Sequence, residues 1–329
     1  MTLLASRSDR GTASVGGPPK SPVEKPRRVS FSAKLRRDKS LIIMVLPAVV
    51  LLAAFVYIPL LGNIIAFMDY VPFIPIEQSP LVGLANFEKL FGNPAFWNAL
   101  SNTLQLTFMQ LVLFFPVPIA LALFINSLAI PFVRRFLQSV IYLPHFLSWV
   151  IVVAFFQQIL GGSGAISQVL IQNGGSGLDI MTNPDVFKIL MTSQVIWKDA
   201  GWGTIIFIAA LAAIDESLYE SAALDGAGVW HRFWHVTLPG IRPIIVLLLI
   251  LRLGEALTVG FEQVLLQRDG VGPAAAEVLD TFVYFHGVVD GDWGVGAAAG
   301  LLKGVVGLVL VLLANKAAHL LGEQGVYSK

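Results

Sequence analysis

The side chains of this chain that could do chemistry are ionisable and amide groups standing inside long apolar runs. Arg252, Glu255 and Glu262 fall in the apolar stretch 244–266, with Gln263 beside them. Steps of three and seven put the first three on one stripe of a helix. A charge at the centre of a bilayer costs about 2.5–3.5 kcal/mol on insertion scales, so such groups face protein or water. The stripe is expected either to wall a hydrophilic passage for a polyhydroxylated solute or to neutralise itself. In the second case Arg252 pairs with Glu255 and Glu262 sits near the outer surface. A second interruption is Trp197-Lys198-Asp199-Ala200-Gly201-Trp202-Gly203. Its two glycines permit a broken helix, and the flat rings of Trp197 and Trp202, with Lys198 between them, suit stacking on sugar faces. The same pair of Trp residues also suits a membrane–water interface. Lys303, in the last apolar run, either lines the passage or snorkels.

Other chemistries find no support. His231 and His235 stand four apart, but no carboxylate of an HExxH pattern and no third ligand accompanies them, so no metal site is expected. There is no GxxxxGK[ST] phosphate loop and no Ser/His/Asp order, so the chain is expected neither to hydrolyse ATP by itself nor to act as an enzyme. With no cysteine, disulfides, thiolate zinc sites and cysteine nucleophiles are excluded within it.

These residues must be held by membrane helices. In 329 residues, 56% are hydrophobic and the mean hydropathy is +0.75, beyond what a soluble domain of this length carries. The net charge of +1 argues for no nucleic-acid partner. Residues 1–39 hold ten basic residues among Ser, Gly and Pro. The expectation for 1–38 is a disordered basic cytoplasmic tail that fixes topology rather than a nucleic-acid-binding arm. The run 41–67 exceeds the roughly 7–15 residues of a signal-peptide core and reads as an uncleaved first span bent at Pro47 and Pro59. Five more spans are expected near 104–125, 136–160, 187–213, 244–266 and 294–315, each long enough for the roughly 20 residues a crossing requires.

Between the first two spans, residues 83–103 form an amphipathic stretch, suited to the membrane surface or to a small packed loop outside it. Arg134, Arg135, Arg232, Arg242, Lys316 and Lys329 fall on the side of the N-terminal tail, against Lys89, Lys188 and Arg268 on the other. The positive-inside rule then places both termini in the cytoplasm. Gly296, Gly300 and Gly304 recur every four residues, with Gly307 nearby. That is a close-packing face for contact within the subunit or with a second one.

The long polar insert 214–243 lies between two spans. Ser217 and Glu220 read as a capping box, and Leu218, Tyr219, Ala222 and Ala223 share one face of a short helix. Asp225-Gly226 ends it, because glycine tolerates the left-handed conformation of a helix stop. A second short amphipathic helix (Val229, Trp230, Phe233, Trp234) follows until Pro239 and Pro243 stop it. The product is a two-helix elbow whose small Ala222 and Ala223 let another protein's backbone approach.

Glu220-Ser221-Ala222, three residues, Gly226, nine residues, then Val236-Thr237-Leu238-Pro239 resembles the EAA loop of ABC-importer permease subunits, with Ser221 for the middle Ala and Val236 for an Ile. Tyr219, Asp225 and Ala227 extend the resemblance toward the carbohydrate-uptake branch, and the run 260–266, GFEQVLL, toward its oligosaccharide type. The resemblance covers about residues 41–321. It implies an all-α bundle of six transmembrane helices with the type I ABC importer permease fold, in the bacterial plasma membrane. The implied organisation is a tail (1–38), a first span with an external amphipathic segment (39–95), a permease domain with its cytoplasmic loop (96–318) and a C-terminal tail (319–329). It further implies a second homologous permease, two ATPases that bind ATP and magnesium, an extracellular solute-binding protein and a sugar substrate, with no cofactor in this chain. The ATPase-coupling residues would be Tyr219, Glu220, Ser221, Ala222, Asp225, Gly226, Ala227, Leu238 and Pro239.

Overall fold

The computed structural model describes residues 38–320, 322, 323 and 325–327. The basic tail expected over 1–38 lies, but for Asp38, outside them. Six described helical runs are long and apolar enough to cross a membrane. Helix α1 is Lys39–Phe67, α2 is Ala85–Gly92, α3 is Pro94–Asn126, α4 is Pro131–Tyr142 and α5 is Trp149–Leu160. After α6 (Ala165–Gln172) come α7 (Phe187–Ala212), α8 (Glu216–Leu224), α9 (Val229–Gly254), α10 (Phe261–Leu265) and α11 (Trp293–Leu320). The chain divides into two compact units, Met1–Leu60 and Leu61–Lys329. Most of α1 belongs to the first, and every later helix to the second.

Prolines shape the long helices in a consistent way. Proline lacks an N–H, and its ring collides with the carbonyl four residues back. In α1, α3 and α9 a wide π turn stands just ahead of a proline: Ala53–Tyr57 before Pro59, Gln110–Phe114 before Pro116, and Phe233–Thr237 before Pro239. Each proline is two residues past the turn, so the threatened carbonyl lies in the one place where the helix has been opened. The expectation that Pro239 and Pro243 would stop a short helix is therefore corrected: α9 runs on through both to Gly254.

Lipid is as apolar as leucine, so helix association here depends on close backbone approach and satisfied polar groups. A Cβ on Gly201 of α7 would lie 1.9 Å from the Ile141 carbonyl oxygen of α4, and one on Gly203 3.0 Å from the Pro118 ring of α3. These two glycines do not break the helix, as the sequence suggested they could. The helix α7 is continuous from Phe187 to Ala212, and they are where its neighbours come closest. The expected third span 136–160 does break, at the short 3-10 segment Leu143–Phe146, and restarts at Trp149 with Ser148 as its cap. The amphipathic stretch 83–103 packs inward: Leu90, Phe96 and Ala99 join Phe282 and Val295 in a core cluster, and Asn86 donates to the carbonyls of Ala66 and Met68. On α11 the glycine series divides. Gly296 meets Gly287 and Gly307 meets the Gly254 carbonyl, whereas a Cβ on Gly300 or Gly304 would meet nothing within 4 Å.

Gly201→Val is expected to cost about 3 kcal/mol by overpacking, while Gly92→Ala, where a Cβ meets nothing, leaves stability intact. Thermal denaturation of the detergent-solubilised protein reads both; equal midpoints for Gly201→Val and the parent would refute the α4–α7 contact.

Candidate functional site

The elbow opens with Asp215, whose carboxylate accepts the Ser217 N–H at 2.9 Å and caps α8. Asp215 thus takes the capping position that the sequence reading gave to Ser217 with Glu220. The shorter Asp side chain reaches N2 directly and leaves Glu220 exposed. The bond from the Ser217 backbone, then that from its side chain, hold the Asp215 carboxyl below its ordinary range. A depressed carboxyl stabilises the fold above its unfolded pKa, so the cap is complete at neutral pH and is lost as pH falls through the folded value.

The far end of α8 closes as a Schellman motif. Gly226 N–H donates to the Ala223 carbonyl (3.1 Å) and Ala227 N–H to that of Ala222 (2.9 Å), with Gly226 at φ 77°. No Cβ neighbour crowds Gly226; the backbone conformation alone selects glycine. The Tyr219 hydroxyl bonds the Thr237 hydroxyl at 3.0 Å and so ties α8 to the π turn of α9. Arg242 of α9 is bridged to Glu323 beyond α11 at 2.9 Å.

Glu220, Ser221, Asp225, Gly226 and Pro239 are exposed; Ala222, Ala227 and Leu238 are half-buried. Large apolar groups surround them in the open, Leu224 at 90% and Trp230 at 72% exposure, with Val229 and Trp234 alongside. An apolar patch of this kind on a folded surface marks a contact with another protein or with lipid. A cleft of about 500 Å³ lies between the two arms, lined by Ala222, Asp225, Gly226, Gly228, His231 and His235. The two imidazoles stack at 4.1 Å, and His235 Nδ1 donates to the His231 carbonyl.

The second candidate region lies within the spans. The expected single stripe of Arg252, Glu255 and Glu262 is corrected, because α9 ends at Gly254. Arg252 is on the last turn, Glu255 is the C-cap, and Glu262 is exposed on the separate helix α10. Arg252 donates to Gln110 Oε1 of α3, stands 4.0 Å from Glu255 and lies over the Phe114 ring. Asp199 of α7 is within electrostatic reach of it. Asp199 meets His145 at 2.9 Å, and the His145 ring stacks flat on Trp202 at 4.5 Å. Gln110, Arg252 and Glu255 thus meet where α3 faces α9, and Asp199, His145 and Trp202 meet at the break between α4 and α5; together these two groups are the polar belt of the spans.

Three expected passage residues are placed elsewhere by packing. Lys198 is buried and donates to the carbonyls of His145 and Leu147, both at 2.7 Å, which the 3-10 break leaves without helical partners. Trp197 stacks on Phe155 at 5.4 Å. Gln263 is fully buried in an amide cluster with Gln194 and Gln267 and donates to the Met191 carbonyl. Gln110 and His145 were missed, and Asp199 was seen only as part of the Trp197–Gly203 interruption; each is a polar residue in or beside an apolar run, which is the signal that could have found them.

Comparison with known proteins decides the family. The model of the binding-protein-dependent transport system inner membrane component matches residues 114–319. The chain belongs to this family. It is a multi-pass permease component of an ABC import system in the inner membrane, and not itself an enzyme. Its relatives include the polygalacturonan/rhamnogalacturonan transport system permease YteP of Bacillus subtilis (strain 168), 44% identical over 92% of this chain and 95% of that one. Protein LplB of the same organism is 40% identical over 91% and 94%. A crystal structure of a bacterial alginate ABC transporter, in complex with its alginate pentasaccharide-bound periplasmic protein, contains a chain of TM-score 0.82. The two are 36% identical, and the match covers 90% of this permease and 99% of that chain.

Tyr219→Phe is expected to remove about 1 kcal/mol from the attachment of α8. Amide exchange across Glu216–Leu224 should then be about fivefold faster, and unaltered protection would show that the hydroxyl pair fastens nothing.

Proposed function

We propose that this permease is a translocation subunit of an oligosaccharide importer, and that its elbow couples it to an ATPase. The reading is supported chiefly by one observation: α9 is a single uninterrupted helix from the elbow at Val229 to the polar belt at Arg252 and Gly254. At 1.5 Å per residue that is a rod of roughly 40 Å. A push on the elbow is therefore carried toward the belt along one continuous helix. The Tyr219–Thr237 bond makes α8 part of the same lever.

The positive-inside rule places the elbow and both termini in the cytoplasm. There the exposed Leu224, Val229 and Trp230 dock in a cleft of one of two ATPases, which hold the ATP and magnesium. Glu220 makes a polar contact with that partner; Ser221 and Ala222 leave room for its backbone; Asp225, Gly226 and Ala227 set the bend. Leu238 and Pro239 carry the motion into the span. A second homologous permease completes the passage, and an extracellular binding protein delivers the solute. Closing of the ATPases moves both elbows, and the bundle switches from inward-open to outward-open because packed interfaces have discrete states.

The sugar assignment draws on the relatives' substrates, polygalacturonan and rhamnogalacturonan, and on the belt itself. Trp202 offers a flat face, Arg252 and Gln110 offer donors and acceptors, and Glu255, 71% exposed at its side chain, points to open space. Such a set hydrogen-bonds hydroxyls and stacks on sugar rings without needing a net charge. Residues 39–95 supply the first span and an external segment, 96–318 the translocating core, and 319–329 a cytoplasmic end.

The assembled complex in lipid vesicles, with its binding protein, tests the substrate. ATPase activity is measured with oligogalacturonides, rhamnogalacturonan fragments, arabino-oligosaccharides, maltose, lactose and, for contrast, di- and tripeptides. Stimulation by a saccharide and not by peptides is expected; the reverse would transfer the chain to another solute. Gly226→Val and Glu220→Lys should each reduce uptake at least tenfold with ATPase subunits lost on purification. Gly226→Asn, which tolerates positive φ, should retain most of it, and equal transport by the Val and Asn variants would remove the elbow from coupling. Glu255→Ala should change the half-saturating saccharide concentration several-fold while the ATPases stay attached.

A further inference from the structure

We propose that the groove between α9 and α11 is a second sugar-contacting subsite, in which Thr258, Asp280 and Lys303 hydrogen-bond the hydroxyls of one neutral pyranose ring. The inference rests on the sugar-import reading and extends it to residues outside the polar belt.

The groove encloses about 430 Å³, and Thr258, Asp280, Gly300, Lys303 and Gly304 are among its lining. Volumes of this order hold small ligands. Lys303 comes from the middle of α11 and is ion-paired with Asp280 of the turn Leu279–Phe282; the two side chains are 21% and 18% exposed. A charged pair on an open groove inside a membrane span is costly against lipid and is kept where it faces water or protein. An apolar pair of similar volume would pack these two elements as well or better.

The room comes from the glycines. The ends of the series are closed by backbone contacts at Gly287 and Gly254, while Gly300 and Gly304 face open space. The stripe supplies only that volume; recognition comes from the ion pair. A lysine ammonium has three donors, of which one is spent on Asp280 Oδ1. Asp280 Oδ2 is enclosed and has no partner, so a solute hydroxyl reaches it only when the carboxylate turns toward the groove it lines. Thr258 adds an exposed hydroxyl on the rim. Donors and acceptors side by side with no net charge match vicinal hydroxyls better than an isolated anion. The groove adjoins the belt along the chain: the Thr258 N–H donates to the Glu255 carbonyl at 2.8 Å, in the turn that follows Arg252.

The chain contains no cysteine, so single cysteines report on this groove directly. Gly304→Cys and Gly300→Cys are introduced into the complete complex in lipid vesicles, with the cysteine-free permease as background. They are reacted with a charged, membrane-impermeant methanethiosulfonate and with lipid-soluble N-ethylmaleimide. The same panel of saccharides, delivered by the binding protein, supplies the probes. The expected result is labelling by the charged reagent, slowed at least fivefold by the saccharide that stimulates the ATPase. The double variant Lys303→Leu/Asp280→Leu, which removes both charges together, should keep assembly and basal ATPase activity. It should raise the half-saturating concentration of that saccharide about tenfold, and Gly304→Phe, which fills the groove, should do the same.

Labelling by N-ethylmaleimide alone would make the groove lipid-facing, and labelling by neither reagent would make it the seat of another helix. Either overturns the proposal, as does labelling that the stimulating saccharide leaves unslowed or an unchanged half-saturation in the double variant. A complex stimulated by no saccharide overturns the sugar reading itself, and this subsite with it.

Discussion

The constraint on which this permease depends is the passage of a helix through Pro239. In an ordinary α-helix, proline deletes one hydrogen bond and drives its ring against the carbonyl four residues back, at a cost of about 3 kcal/mol. Here that carbonyl belongs to His235, inside the π turn Phe233–Thr237. The wider turn moves it aside, and the helix continues to Gly254. Without this accommodation the Pro239 ring would meet the His235 carbonyl, and the helix would kink or end there. The same pairing of π turn and proline recurs at Pro59 and Pro116, whereas Pro47 and Pro243 stand inside helices with no π turn around the carbonyl four residues back.

A second consequence of the bilayer is that polar groups become structural cement. The 3-10 segment Leu143–Phe146, with Pro144 in it, leaves the carbonyls of His145 and Leu147 to be answered from another helix. Lys198 answers both, and its neighbour Asp199 takes the His145 imidazole. The break that interrupts one span thus recruits the ionisable groups of another, and the belt exists because a helix had to be broken there. Gly201 brings α4 and α7 close enough for this to happen.

The elbow was legible because its signals are local: Glu220 to Pro239 carries a spaced pattern, and Gly226 sits where a left-handed residue was expected. What was misread depended on partners far along the chain or on turn geometry. Ser217 looked like the cap because it is followed by Glu220 at the right interval, yet Asp215 two residues earlier reaches the N–H first. Glu262 looked aligned with Arg252 because apolar periodicity runs on past Gly254, where Val311 and Gly307 of α11 close over the helix end. Gln263 looked available because its fellow amides, Gln194 and Gln267, are visible as a cluster only in three dimensions. Of the six spans, the first and the fourth were anticipated to within two residues at each end; the third was not, since a break at Leu143–Phe146, with Pro144 in it, interrupts a run that hydropathy alone would continue.

The two candidate regions have opposite characters, and that opposition explains their division of labour. The elbow exposes large apolar side chains where a soluble protein would bury them, and the spans gather charge where lipid would exclude it. Each is unfavourable for the isolated chain and becomes favourable only when something else is present: a protein surface over Leu224 and Trp230, and water or solute against Arg252 and Glu255. One continuous helix, α9, joins the two. Under the proposed coupling, a tilt that improves the fit of the elbow moves Arg252 relative to Gln110 and Asp199, which stand on other helices. In the proposed mechanism, coupling between ATPase and passage runs along one continuous helix and requires no separate relay of residues.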